Sequence, residues 1–62
     1  IEQMALNAAS RAKSHGSSVK LAPMNAYDRR LVHLALRDDP EVTTHSEGDD
    51  PDRYVVVTPV KL

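Results

Sequence analysis

The sequence predicts an α+β domain: two helices packed on one face of a three-stranded antiparallel or mixed sheet, in the order α-β-α-β-β with the last strand central. Two stretches, Ile1 to about His15 and Ala26 to about Asp38, carry apolar residues at helical spacing. The segment "YVVV", Tyr54 to Val57, directs apolar side chains to both faces, the pattern of a central strand. Two weaker strand signals precede it. With the final strand in the middle, both of its pairings are antiparallel and the outer strands run parallel to each other. The strand-helix-strand crossover is then expected to be right-handed.

Each element has its own local cause. In the first helix Ile1, Met4, Ala5, Ala8 and Ala12 recur at helical spacing, and alanine favours the helix intrinsically. Gly16 follows as the residue able to end it in a left-handed conformation. From Ser18 to Ala22, Val19 and Leu21 alternate with Lys20, a short strand signal that Pro23 stops. Asn25 then offers a side-chain oxygen to the free amides of a second helix, and Asp28 favours the same positive end. That helix is expected to run from Ala26 to Asp38, because Pro40 disfavours the helical conformation at Asp39. Val42, Thr43 and Thr44 are β-branched and read as a strand reaching about Ser46. "EGDDPD", Glu47 to Asp52, is a turn by its Gly, Pro and Asp content, and Arg53 to Thr58 is the central strand.

At 62 residues the chain reads as one domain spanning 1–62. A chain of this size buries only ~60% of the surface it exposes when unfolded. Because it opens at Ile1 inside an amphipathic pattern, it is expected to be part of a longer protein. Without cysteine it has no disulfide, thiolate metal site or catalytic thiol. No apolar run approaches the ~20 residues that span a bilayer, and no signal-like start is present, so a soluble, cytoplasmic domain that does not insert into membrane is expected. As a fragment it is expected to be a monomer. Two Tyr, no Trp and no Phe exclude a row of aromatic platforms for successive bases. The formal net charge is -1, yet its distribution is uneven. Three of the eight Lys and Arg residues lie between Arg29 and Arg37, whereas Glu47, Asp49, Asp50 and Asp52 crowd one loop.

Turning 100° per residue along the second helix groups Tyr27, Leu31, Leu34 and Ala35, with Met24, Val32 and Leu36 widening the apolar arc. Outside that arc remains a strip of Ala26, Arg29, Arg30, His33 and Arg37 with no acidic side chain in it. A helix face meant only for solubility mixes both signs and gains i,i+4 pairs. An unneutralised strip points instead to an external anion. The competing reading is that such a face arises by chance, its arginines paired by loop carboxylates. His15 complements the negative end of the first helix and needs no other role, and His45 alternates out of a strand.

The text "DRRLVHLAL" resembles the Arg-x-x-x-His (R-three-H) domain family, through Arg29, three intervening residues and His33. From Leu21 to Val57 the sequence is similar to the version found in bacterial Jag, or SpoIIIJ-associated, proteins. That resemblance implies binding of single-stranded RNA or DNA, and a KH-type domain adjacent in the full-length protein. No Gly-x-x-Gly loop of the KH type lies within these residues. Some members of the family attach the domain to helicases or nucleases, but nothing in this sequence resembles a nucleotide-binding loop, and no cofactor, metal or catalysis is expected.

On this reading Arg29 and His33, one turn apart, hold a phosphate between guanidinium and imidazole. Arg30 and Arg37 flank the path, and Lys20 and Arg53 extend it if their strands lie close by. With ~3 to 4 phosphate contacts the salt slope should be about -2 to -3, with little sequence preference. Affinity should rise as pH falls through the ordinary histidine range, because a bound phosphate favours protonated His33. An enzyme is disfavoured: no two His share i,i+4 spacing and no His-Glu-x-x-His element exists. The acidic loop lacks the ligand spacing of a calcium-binding hand. The alternative is a protein-interaction module, using the basic strip or an open sheet face with Tyr54 and Val56.

Overall fold

The computed structural model describes residues 1–60. Along the chain lie α1 (Glu2–His15), β1 (Val19–Lys20), α2 (Ala26–Leu36), β2 (Val42–Glu47) and β3 (Tyr54–Pro59). The strands form one sheet in the order β1-β3-β2, and both pairings are antiparallel. The central position of the last strand and the parallel sense of the outer two are therefore as expected.

Helix α1 turns an alanine stripe, Ala5, Ala8, Ala9 and Ala12, into the core. Side chains this small let the helix axis approach the sheet closely, so little volume is lost between layers. Ile1 and Met4, expected on the same stripe, are exposed at its margin. The helix ends where Gly16, at φ 65°, donates its N–H to the Ala12 carbonyl at 2.9 Å. Only a residue without Cβ takes that left-handed conformation at no steric cost.

β1 is shorter than the expected Ser18 to Ala22. Its ladder pairs Val19 with Val57 and Lys20 with Val56. Beyond it the chain still donates from Leu21 N to Val55 O at 3.0 Å and from Met24 N to Arg53 O at 3.1 Å, while Pro23 between them has no N–H to give. β2 and β3 share six register pairs, from Val42 with Pro59 to Glu47 with Tyr54.

The core joins both helices to the inner sheet face: Val32, Val55 and Val57 are its largest fully buried side chains, with Leu36 and Val42 beside them. Val19, Leu21, Met24 and Ala35 close its margin. On the outer sheet face Val56 is only 3% exposed, flanked in register by Lys20 and His45. The open apolar sheet face expected around Val56 is thus closed by its own cross-strand neighbours.

Helix α2 ends at Leu36, two residues before the expected Asp38. Asp39 causes the early stop. Its N–H bonds the Leu36 carbonyl at 3.1 Å, tightening the last turn, and its carboxylate accepts the Glu41 N–H at 2.9 Å and the Lys13 ammonium at 2.8 Å. These contacts hold Asp39 to the end of α1 and give its carboxyl a pKa below the ordinary value, the Lys13 hydrogen bond being the main cause.

The larger correction concerns which side of α2 faces inward. Its buried residues are Arg29, Val32 and Leu36, while Tyr27 is 70% and Leu34 47% exposed. Relative to the expected arc the helix is rotated by roughly a quarter turn. The rotation places Val32 and Leu36 against the sheet and brings a charged residue with them.

Candidate functional site

Arg29 reaches the interior because the start of α2 is fixed. The Asn25 side chain accepts the Asp28 N–H at 2.8 Å, a cap that sets where the first turn begins. One turn later Arg29 lies with its stem packed inward and only 8% of the residue exposed. Its Nη1 donates to the Met24 carbonyl at 2.6 Å and lies 3.5 Å from Asp50 Oδ1. One guanidinium therefore holds the β1–α2 connection and the acidic loop to the helix. The expectation of an outward, unneutralised cation at position 29 does not hold. The short bond to the carbonyl is the stronger of the two; the Asp50 carboxylate is largely exposed, and such pairs contribute little. The other guanidinium nitrogens make no hydrogen bond among the described residues. Since no buried side-chain nitrogen there lacks a partner, they keep a water-facing edge.

His33 occupies the same seam one turn further on. Its Nδ1 is 2.7 Å from Thr44 Oγ1 and its Nε2 3.1 Å from Ser46 Oγ. Alternation along β2 sends Val42, Thr44 and Ser46 toward the helices and Thr43, His45 and Glu47 away. A neutral imidazole has one donor and one acceptor, and each hydroxyl can play either part, so the uncharged ring is fully satisfied. Partial burial lowers the His33 pKa below its ordinary 6.5, and the charges of Arg29 and His45 push the same way. Arg29 and His33 are neighbours, as their spacing predicts. Both are engaged within the fold, so the phosphate clamp of two free groups is corrected.

Arg30 and Arg37 do face solvent. Arg30 has no ion pair among the described residues, and Arg37 Nε lies 3.8 Å from Asp38 Oδ1 with both side chains exposed. Ala26, Tyr27, Arg30, Leu34 and Arg37 make up the outward side of α2. The basic strip is real in its outer half, with Arg29 and His33 as an inner margin sunk into the α2–β2 seam. Tyr27 and Leu34, expected in the core, stand beside the two exposed arginines.

The remaining two candidates lie elsewhere. Arg53 donates from Nη1 to the Gly48 carbonyl at 2.7 Å and from Nη2 to the Ser46 carbonyl at 3.4 Å, bracing the β2–β3 loop. Lys20 projects from the outer sheet face, its ammonium 6.0 Å from the centre of the Tyr54 ring. The helices cover the opposite face, so Lys20 does not extend the α2 strip. His45 and Glu47 pair with each other on that same outer face, 2.5 Å apart. No cluster of three or more His, Asp or Glu able to hold a metal ion occurs among the described residues. No described helix is long and apolar enough to cross a membrane.

The partners of the Arg29–His33 pair, Thr44, Ser46 and Asp50, were missed in the sequence. For the two hydroxyls a signal existed: they alternate in phase with Val42 and so share its inward face. Asp50 carried none, because a loop of several carboxylates does not mark which one meets a given arginine.

Comparison with known proteins shows the family to which this sequence is similar. The R-three-H domain family matches residues 1–59. A protein of Clostridium symbiosum named RNA-binding protein KhpB is 43% identical over 58 residues, covering 94% of this chain and 26% of the relative. The protein of the same name from Lactiplantibacillus plantarum is 40% identical over 57 residues, 92% of this chain and 18% of its own. That of Streptococcus pneumoniae is 39% identical over 57 residues, 92% and 17% respectively. The chain thus spans about a quarter or less of these bacterial relatives.

Proposed function

This chain belongs to the R-three-H domain family, and from that premise we propose that it binds single-stranded nucleic acid, RNA above DNA, with low sequence specificity and without catalysis. The observation that carries the reading is the outward side of α2, where, among the described residues, Arg30 and Arg37 meet no carboxylate but the adjacent, exposed Asp38. The names of the relatives support RNA as the polyanion. Arg30 and Arg37 contact phosphates directly. The water-facing edge of Arg29 adds a third contact at the inner margin, and His33 fixes the angle of the helix against β2. Arg53 serves by shaping the loop that meets Arg29.

Two or three phosphate contacts give weak binding and a salt slope of about -1.5 to -2 for a single strand. Useful affinity then needs a linked second module, which raises the effective concentration without a new contact in this domain. A KH-type neighbour in the full-length cytoplasmic protein fills that part. The test is to titrate labelled single-stranded RNA, single-stranded DNA and duplex into the wild type and an Arg30→Ala, Arg37→Ala double variant. Weak binding with single strands preferred, lost in the variant, supports the reading. Binding that the variant leaves untouched removes α2 as the interface, and an absence of binding to all three polyanions favours a protein partner.

A further inference from the structure

We propose that the ring of Tyr27 stacks against one base of the bound strand while Arg30, one turn along, holds the adjoining phosphate; this rests on the nucleic-acid reading above. Tyr27 is 70% exposed, the most exposed large apolar side chain among the described residues. Its hydroxyl makes no hydrogen bond there, so neither core packing nor a polar contact accounts for its position. An aromatic ring withheld from the core forgoes a large burial gain. On α2 that ring lies at i,i+3 to Arg30 and i,i+7 to Leu34, which is 47% exposed.

The chemistry of this ridge alternates flat or apolar groups with cations: Tyr27, Arg30, Leu34, Arg37. A single strand alternates in the same way, bases with phosphates. Arg30 and Arg37 are about 10 Å apart along the axis, far enough to address separate phosphates while a base lies over the ring. An apolar protein partner would have to bring carboxylates to match both arginines. The polyanion meets both demands with one repeating unit, and stacking on tyrosine tolerates any base. The chain carries no Trp or Phe, so one base, and not a run of them, is the extent of the platform.

The composition also supplies the reporter. With Tyr27 and Tyr54 the only tyrosines, Tyr54→Phe leaves Tyr27 as the sole emitter and Tyr27→Phe leaves Tyr54. Short oligouridylate and oligoadenylate strands are titrated into both, with inorganic polyphosphate as a polyanion that has no bases. Stacking predicts that RNA quenches emission in Tyr54→Phe and not in Tyr27→Phe, and that polyphosphate quenches neither. Affinity for RNA should fall roughly 5- to 100-fold in Tyr27→Ala. It should be kept in Tyr27→Phe, and the salt slope should be unchanged in both. Arg-dependent RNA binding with unmoved Tyr27 emission overturns the stacking and leaves the nucleic-acid reading standing, whatever the affinity of Tyr27→Ala. Failure of the wild type to bind RNA removes both.

Discussion

The imidazole of His33 joins helix to sheet through Thr44, with 2.7 Å between Nδ1 and Oγ1. Ser46 holds the other ring nitrogen at 3.1 Å. The pair of hydroxyls is available only because β2 alternates Thr44 and Ser46 inward, beneath the second turn of α2. A residue that marks the family by its spacing from Arg29 is thus held by the neighbouring strand, and its chemistry concerns how α2 lies on the sheet.

That contact makes stability depend on pH. Burial first, then the charges of Arg29 and His45, hold the folded pKa of His33 below the ordinary 6.5. Below 6.5 the unfolded chain binds the proton more readily than the folded one, so stability falls as the solution is acidified through and below that value. The loss is complete once pH lies below the folded pKa. Urea midpoints between pH 8 and 5 should fall more in the wild type than in His33→Gln, which has no titrating ring; equal acid sensitivity of the two would remove this linkage. Asp39 acts in a separate window, below its ordinary 3.8.

Arg29→Ala should destabilise the domain by about 2 kcal/mol, the cost of losing a charge-assisted bond and leaving the Met24 carbonyl without its partner. Asp50→Asn should change the unfolding free energy by less than about 0.5 kcal/mol, because its carboxylate is exposed and 3.5 Å away. The order of these two effects is the test. A larger cost for Asp50→Asn would mean that the ion pair, not the carbonyl, holds the guanidinium. Binding lost in Arg29→Ala must accordingly be read beside its stability, since a disordered α2 also releases ligand.

The strand order and the element sequence were legible because they depend on patterns of period two and 3.6 that a single chain displays. "YVVV" had to be central, and Gly16 and Asn25 had to bound helices. The rotation of α2 was not legible. Tyr27, Leu31, Leu34 and Ala35 make a persuasive apolar arc, and no periodicity rule places an arginine on the core side. Arg29 sits there because its long stem packs as an apolar chain while its tip meets a carbonyl from a different element, a contact that exists only after folding. The candidate site was therefore half readable. Arg30 and Arg37 were placed outward correctly, and Arg29 and His33 were taken one face too far.

The alanine stripe of α1 sets how closely helix and sheet approach. Ala12 has no exposed surface and belongs to the central cluster. Ala12→Leu forces extra methyl groups into that gap and should cost about 1–3 kcal/mol in thermal or urea unfolding. Ala26→Leu, on the exposed side of α2, should be nearly neutral, so the pair separates crowding from any general effect of leucine.

Binding and folding should separate on α2. Arg30 and Arg37 are exposed, so replacing both with Ala should leave the unfolding free energy from urea titration within about 0.5 kcal/mol of the wild type. Each phosphate contact removed should flatten the salt dependence by about 0.7 for a single strand, making the double variant less salt-sensitive by about 1.4. The proof is the slope rather than the affinity at one salt concentration, since weakened binding alone also follows from a loosened helix. If the slope survives the double substitution, the phosphates lie against other cations, and Lys20 on the opposite sheet face becomes the first residue to replace.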